Sequence, residues 1–205
     1  RADTVTVAVA ANFAETLEAI AELFEQASGH TVVLSRGSSG RHYAQIRNGA
    51  PFDLFFSADA QRPEELIAAQ RLPESRSRVY ALGQLAVWAP DIPKSEIRDS
   101  LTTGRFTRIA IANPRLAPYG QAAVETLESL GLPLRELDAD GRILRGENVG
   151  QAAQFVASGN AEMGFVALSQ LVNLPASQYW LVPHTEHTPI VQKLVVLNDS
   201  PAALG

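Results

Sequence analysis

Strand-like and helix-like runs alternate along this chain in two successive blocks, and no other feature narrows the possible folds as much. Val5 to Ala10 alternates β-branched and small residues, as a strand does. Asn12-Phe13-Ala14-Glu15 follows, and Leu17, Ile20, Ala21, Leu23 and Phe24 then recur at helical spacing. Asn12 followed by Glu15 reads as a capping-box start, and Gly29 reads as the stop. The unit then repeats. Thr31 to Leu34 is a second strand, Gly37-Ser38-Ser39-Gly40 a turn, and a helix runs on to about Asn48-Gly49. A third strand, Asp53 to Phe56, leads through Ser57-Ala58-Asp59 to a helix opened by Pro63-Glu64-Glu65.

Residues 79 to 89 form a longer β run interrupted by Gly83, after which the pattern restarts. Arg108 to Ala112 reads as a strand, Asn113 to Tyr119 as a loop, and Gly120 to Leu130 as a helix ended by Gly131. Ile143-Leu144 is a short strand, and Asn148-Val149-Gly150 opens a helix reaching about Ser158-Gly159. Further strands are expected at Glu162 to Val166, Tyr179 to Val182 and Ile190 to Leu197. Two similar blocks of this kind predict two α/β lobes, each on a mostly parallel sheet.

Composition removes several classes of function. With 46% apolar and 19% charged residues the chain has the make-up of a folded globular protein. No apolar run approaches the roughly 20 residues that span a bilayer. The 17 Lys and Arg against 22 Asp and Glu leave a net charge of −5, which repels nucleic-acid phosphates, so no nucleic-acid partner is expected. There are 0 cysteines, which excludes disulfides, thiolate metal sites and thiol nucleophiles together. The chain opens almost directly on a strand after Arg1-Ala2-Asp3-Thr4, without a signal peptide, which predicts a cytoplasmic or an already processed protein.

Ligands of open α/β sheets bind beyond the carboxyl ends of the strands, where helix N-termini point. Four such junctions carry small or polar residues: Ala11-Asn12, Ser38-Ser39, Pro118-Tyr119-Gly120 and Asn148-Val149-Gly150. Small polar residues at a helix start ordinarily cap their own helix. Taken together, however, two junctions from each block could converge on one anion through backbone N–H groups and helix dipoles. Other constellations fail their templates. His184-Thr185-Glu186-His187 has no third ligand nearby and reads as a surface loop. Asp138-Ala139-Asp140-Gly141 places its glycine wrongly for a calcium loop. Gly37-Ser38-Ser39-Gly40 is one residue short of a nucleophile elbow, and no P-loop is present. Arg36 and Arg41 beside Ser39 read as solvated loop residues. No nucleophile–base pair emerges, so the chain is not expected to be an enzyme.

Several of these stretches carry a more specific likeness. Val7-Ala8-Val9-Ala10-Ala11-Asn12-Phe13 resembles the first ligand loop of the periplasmic molybdate-binding proteins (ModA type), and Gly37-Ser38-Ser39-Gly40 resembles their second. Asn48-Gly49-Ala50-Pro51-Phe52-Asp53-Leu54-Phe55-Phe56-Ser57-Ala58-Asp59 is similar to their most distinctive stretch. Tyr80-Ala81-Leu82-Gly83, Asn113-Pro114, Ala117-Pro118-Tyr119-Gly120, Glu147-Asn148-Val149 and Gly164-Phe165-Val166-Ala167 follow in the family's order.

The resemblance implies a type II periplasmic binding protein fold, with molybdate or tungstate held between two α/β lobes and delivered to the membrane permease of an ABC transporter. Carried over residue by residue, the oxyanion-binding groups fall at Asn12, Ser39, Tyr119 and Val149, with Ala11 and Ser38 beside them as further candidates. Ser39 gives its hydroxyl and N–H, Tyr119 and Val149 their N–H groups, and Asn12 an amide where many relatives have serine. Ala167 stands where many relatives carry a tyrosine that reaches the ion, so that contact is not transferred. Molybdenum or tungsten enters only within the bound oxyanion, and no cofactor is implied. The implied protein is monomeric and periplasmic, with its signal peptide removed, and continues past Gly205 in a helical tail.

Hinges are expected near Ala81-Leu82-Gly83 and Thr188-Pro189-Ile190. They make the first lobe discontinuous, residues 1–82 plus 189–205, with the second lobe at 83–188. A site of neutral donors suits a −5 protein, because charge-assisted hydrogen bonds hold a dianion without a countercharge. A receptor for another small oxyanion such as sulfate, and the ligand-sensing domain of a regulator, are the alternatives.

Overall fold

The computed structural model describes residues 3–198. Residues 1–2 and 199–205, which the sequence reading assigns to the first lobe, lie outside the described residues. The chain divides into two compact units, Arg1–Leu82 with Val191–Gly205, and Gly83–Ile190.

In the first unit the elements run β1 (Thr4–Ala10), α1 (Ala14–Ser28), β2 (Thr31–Gly37), α2 (Ser39–Arg47), β3 (Leu54–Phe56), α3 (Gln61–Gln70) and β4 (Ser77–Gly83). The second unit follows with β5 (Leu85–Trp88), α4 (Lys94–Thr102), β6 (Ile109–Ala112), α5 (Pro118–Ser129), α6 (Leu134–Ala139), β7 (Ile143–Gly146), α7 (Val149–Ala157), β8 (Met163–Ala167) and β9 (Tyr179–Leu181). The last strand, β10 (Ile190–Val196), belongs to the sheet of the first unit.

That first sheet has the order β2-β1-β3-β10-β4. β1 is parallel to both β2 and β3, with Val7 opposite Leu34 and Leu54, whereas β10 runs antiparallel to β3. Strand alternation divides the core into two layers. Val5, Val7 and Val9 face α1 through Ala14 and Leu17, while Ala8, Phe55 and Val195 meet Ile46 of α2 and Leu66 and Ile67 of α3. The second sheet, β7-β6-β8-β5-β9, again holds a parallel trio, β7, β6 and β8, with β5 antiparallel to β8 and to β9. Every residue of β6 and β8 is buried, as expected for strands covered on both faces. Both sheets are therefore mixed, each combining parallel pairings within a trio of strands with antiparallel pairings beyond it.

Four sequence-level expectations are refined. The β run over 79–89 is two strands in different sheets, β4 and β5, separated at Gln84. Helices α4 and α6 were not anticipated; each begins after a proline, and α6 has only 6 residues. β2 extends past Leu34 to Gly37. Asn12 does not cap α1: Phe13 holds the cap position with no side-chain cap bond, and the Asn12 amide points instead to Gln192.

Asp53 pins the middle of the first sheet. Its carboxylate accepts from Thr6 N at 2.6 Å, from Thr6 Oγ1 at 2.8 Å and from Asn198 Nδ2, while its carbonyl accepts from Leu197 N at 2.8 Å. β1, β3 and the end of β10 are thus joined through one residue. Burial pushes the Asp53 carboxyl upward, but the bonds from Asn198 and Thr6 outweigh it and leave the pKa below its ordinary value. A depressed carboxylate pKa contributes stability above the unfolded value, about 4, and loses it as pH falls through the folded value. Asp53→Asn should therefore lower unfolding free energy at pH 7 by about 1.5 kcal/mol, the low end for bonds to a partly solvated charge. Urea unfolding across pH should show the gap from wild type shrinking below about pH 4.

Candidate functional site

Two of the predicted residues lie in each unit. In the first, Asn12 and Ser39 follow the carboxyl ends of the adjacent strands β1 and β2, and both are buried, 6% and 1% exposed. Ser38 caps α2, its Oγ accepting from Arg41 N at 3.3 Å, which sets Ser39 at the first helical position. First-turn N–H groups have no carbonyl four residues back, so they face outward with the positive end of the helix dipole. Ser39 Oγ accepts from Ala58 N at 2.9 Å, in the turn after β3. That bond engages the oxygen as an acceptor and directs the hydroxyl proton away from it.

Asn12 Nδ2 donates to Gln192 Oε1 at 2.7 Å. Ala11 is otherwise committed, because its N–H donates to the Gly37 carbonyl at 2.9 Å and joins the ends of β1 and β2. The backbone N–H of Ala11 is thereby spent on the scaffold. His42, one turn along α2 from Ser38, is buried edge-on to Phe52 and Phe55. Burial holds its imidazole below the ordinary pKa despite the opposing bond from Gln45, so at neutral pH it adds no charge beside Ser39.

In the second unit, Tyr119 and Val149 open helices α5 and α7, and both are buried. Pro118 occupies the first position of α5, where its missing N–H costs nothing and its fixed φ suits the helix. Tyr119 is the next residue and presents a first-turn N–H. Gly120 lets α5 approach β6: a Cβ there would overlap the Ala112 carbonyl oxygen and lie 2.8 Å from its carbon. Gly146 does the same for α7, since a Cβ would lie 2.7 Å from Gln151 Cβ and 2.9 Å from Ala152 N. Asn148 caps α7 by accepting from Gln151 N at 3.0 Å, and Gln151 Oε1 accepts from Glu147 N at 2.8 Å. The pair fixes the turn that carries Val149. Gln170 then connects α7 to the end of β8, its Oε1 accepting from Ala167 N at 2.9 Å and its Nε2 donating to the Val149 carbonyl at 3.4 Å.

The remaining sequence candidates have structural occupations. Arg36 pairs with Glu18 at the surface. Asp138 lies in α6 and takes a two-pronged ion pair from Arg145, which holds its carboxyl below the usual range. The His184–His187 segment is tied down more firmly than a surface loop. His187 is buried with Nδ1 2.8 Å from the Thr188 carbonyl, and Glu186 accepts from Ser129 Oγ at 2.5 Å. Among the described residues no group of three His, Asp or Glu side chains is arranged to hold a metal ion.

Sequence reasoning missed Gln192, the acceptor for Asn12, and Ala58 N–H, the donor to Ser39. Gln192 left a faint signal as a polar residue on the inward-facing register of the apolar strand Ile190-Val191-Gln192-Lys193-Leu194-Val195-Val196. What the four junctions offer chemically is N–H and O–H donors near helix N-termini, a set suited to an anion.

Comparison with known proteins agrees with that chemistry. Residues 5–204 match the family described as bacterial extracellular solute-binding protein. The chain is 38% identical to the molybdate-binding protein ModA of Rhodobacter capsulatus over 197 residues, covering 96% of this chain and 77% of that protein. It is 41% identical to the ModA protein of Azotobacter vinelandii over 210 residues, covering 99% and 82%. The solved periplasmic molybdate-binding protein of Azotobacter vinelandii superposes with a TM-score of 0.87 at 40% identity, covering 98% of this chain and 88% of that one.

The close approach of α5 to β6 has a direct test. Gly120→Ala should lower stability by about 1–3 kcal/mol, because the added methyl meets backbone that cannot move aside. Urea unfolding should show a lower midpoint with an unchanged slope.

Proposed function

The chain belongs to the bacterial extracellular solute-binding proteins and, within them, to the ModA type; from that premise we propose that it captures molybdate or tungstate and delivers the ion to the permease of an ABC importer. It is a transport receptor and not an enzyme, and the oxyanion is its cargo rather than a cofactor. In this reading Asn12 and Ser39 donate from one lobe, and the N–H groups of Tyr119 and Val149 from the other. The lobes are residues 1–82 with 189–205, and residues 83–188. They turn about Ala81-Leu82-Gly83 and Thr188-Pro189-Ile190. An ion that needs all four donors binds best when both pairs converge, so it shifts the population toward closure. The protein acts as a monomer in the periplasm, after removal of a signal peptide.

The observation that carries the reading is the state of Ser39. Its oxygen accepts from Ala58 N–H, so the hydroxyl faces a ligand as a donor, beside the outward N–H groups of α2. Donors at Ser39 and at the helix starts prefer a fully deprotonated oxyanion. Hydrogen phosphate would turn an O–H toward groups that cannot accept it, at a cost of ~1–3 kcal/mol for each such unpaired contact. Molybdate, tungstate and sulfate carry no such proton, and the longer metal–oxygen bonds of the first two separate them from sulfate by size.

Two measurements follow. A ligand at ~1,000 times its dissociation constant adds ~4 kcal/mol to stability, so molybdate and tungstate should raise the melting temperature clearly while phosphate leaves it unchanged. Equal shifts with phosphate would refute the preference for a fully deprotonated oxyanion. Ser39→Ala should weaken molybdate binding by ~1.5–3 kcal/mol, roughly ten- to more than a hundredfold by calorimetric titration. Asp138→Ala should leave affinity unchanged, since Asp138 only pairs with Arg145 at the surface of α6.

A further inference from the structure

Gln170 stands in the short helical turn that follows β8, Leu168–Leu171, and that turn is held at both ends. Leu168 N–H donates to the Gln84 carbonyl beside β5 at 2.9 Å, and the Leu171 side chain is buried. From this base the Gln170 amide joins two elements. Its Oε1 accepts from Ala167 N at the end of β8, 2.9 Å away, and its Nε2 donates to the Val149 carbonyl in the first turn of α7, 3.4 Å away. Both partners are backbone groups of fixed polarity, an N–H that only donates and a C=O that only accepts. The amide therefore fits in one orientation. Turned over, it would set oxygen against oxygen at Val149 and N–H against N–H at Ala167.

The other bonds around Val149 stay within its own turn. Asn148 accepts from Gln151 N, and Gln151 accepts from Glu147 N, so both lie inside residues 147–151. They set the shape of the turn, but they do not tie it to the sheet. α7 follows β7, whereas β8 lies two places along the sheet, beyond β6. Gln170 thus holds the helix start from a second strand. Ala167 has only a methyl side chain, and its N–H is taken by Gln170, so the end of β8 acts on α7 through that amide. In a helical residue φ and ψ are set, so tethering the carbonyl of Val149 also limits where its N–H points. Resting on the function proposed above, we propose that Gln170 is a positioning residue for oxyanion binding, which clips the Val149 carbonyl to the end of β8 and so aims the Val149 N–H at the ion.

The test is calorimetric titration of the full chain with sodium molybdate between about pH 8 and about pH 5, with wild type measured at each pH, a range that brackets the ordinary titration of histidine and approaches that of a carboxyl. Gln170→Leu keeps apolar bulk and removes both bonds. It should weaken binding about three- to tenfold, the range for loss of a neutral hydrogen bond, by the same factor relative to wild type at every pH. Gln170→Glu keeps the shape. Ionised, its carboxylate accepts from Ala167 N–H but has no proton for the Val149 carbonyl, so at the upper pH it should bind at least about tenfold more weakly than wild type. The neighbouring carbonyl oxygen and the bound anion raise the pKa of that carboxyl. On acidification it gains a proton, donates to Val149 again, and affinity should return to within about threefold of wild type. Recovery of that kind is not expected from a residue that only packs. Gln170→Met takes the place of Gln170→Leu should the latter fail to fold. Wild-type affinity in the neutral variant would overturn the inference, and so would a Gln170→Glu protein that stays weak throughout, while the receptor function stands. Failure of the wild-type chain to bind molybdate would overturn both.

Discussion

Everything at the candidate site depends on how closely a helix start can approach the end of a strand. At Gly120 the backbone of α5 lies so near the Ala112 carbonyl that even a methyl group is excluded. Gly146 plays the same part between β7 and α7. Where strand end and helix start touch in this way, the first-turn N–H groups stand at the carboxyl edge of the sheet rather than out along a flexible loop. The prolyl ring at 118 and the Asn148–Gln151 pair then fix the direction in which Tyr119 and Val149 face. Donor geometry in this protein follows from backbone packing first and from side-chain chemistry second.

Packing of that kind reconciles an anion receptor with a net charge of −5. Formal charge works over distances of about a Debye length and is screened by salt, whereas an aligned N–H acts at contact and needs no counterion. Two ionisable groups on the first unit near Ser39 in sequence illustrate the point. His42 is kept neutral by burial, and Arg36 is engaged with Glu18.

Most of the fold was legible because strands and helices of an α/β protein carry their own periodicities. Val5, Val7 and Val9 announce one face of β1, and Leu17 and Ala21 announce the inner face of α1. The break at Gly83 was legible too, as a glycine that interrupts a β run where the first block ends. Helices α4 and α6 escaped because they are short and largely polar, with few inward residues to set a period. Asn12 shows the sharper limit. An asparagine two residues before a helix looks like a cap, yet its partner lies 180 residues away on β10. Local reading finds the residue and misassigns the bond. Ser39 was found by its setting in a Gly-Ser-Ser-Gly turn, while the Ala58 N–H that orients it is a backbone group and leaves no mark in the sequence.

The order of strands in the first sheet bears on how the chain can be made. β4 joins that sheet only through β10, which lies between it and β3. A chain emerging from its amino end produces β1 to β4 first, and β4 must then wait for more than a hundred residues of the second unit before its neighbour appears. Until β10 arrives, β3 presents an open edge and the aromatic cluster of Phe13, Phe56 and Tyr80 lacks its polar keystone at Gln192. The second unit, by contrast, is contiguous from Gly83 to Ile190 and holds all the strands of its own sheet. Vectorial synthesis or export therefore supplies every described strand of the second sheet before β10 can cover the open edge of β3 and bring β4 into the first.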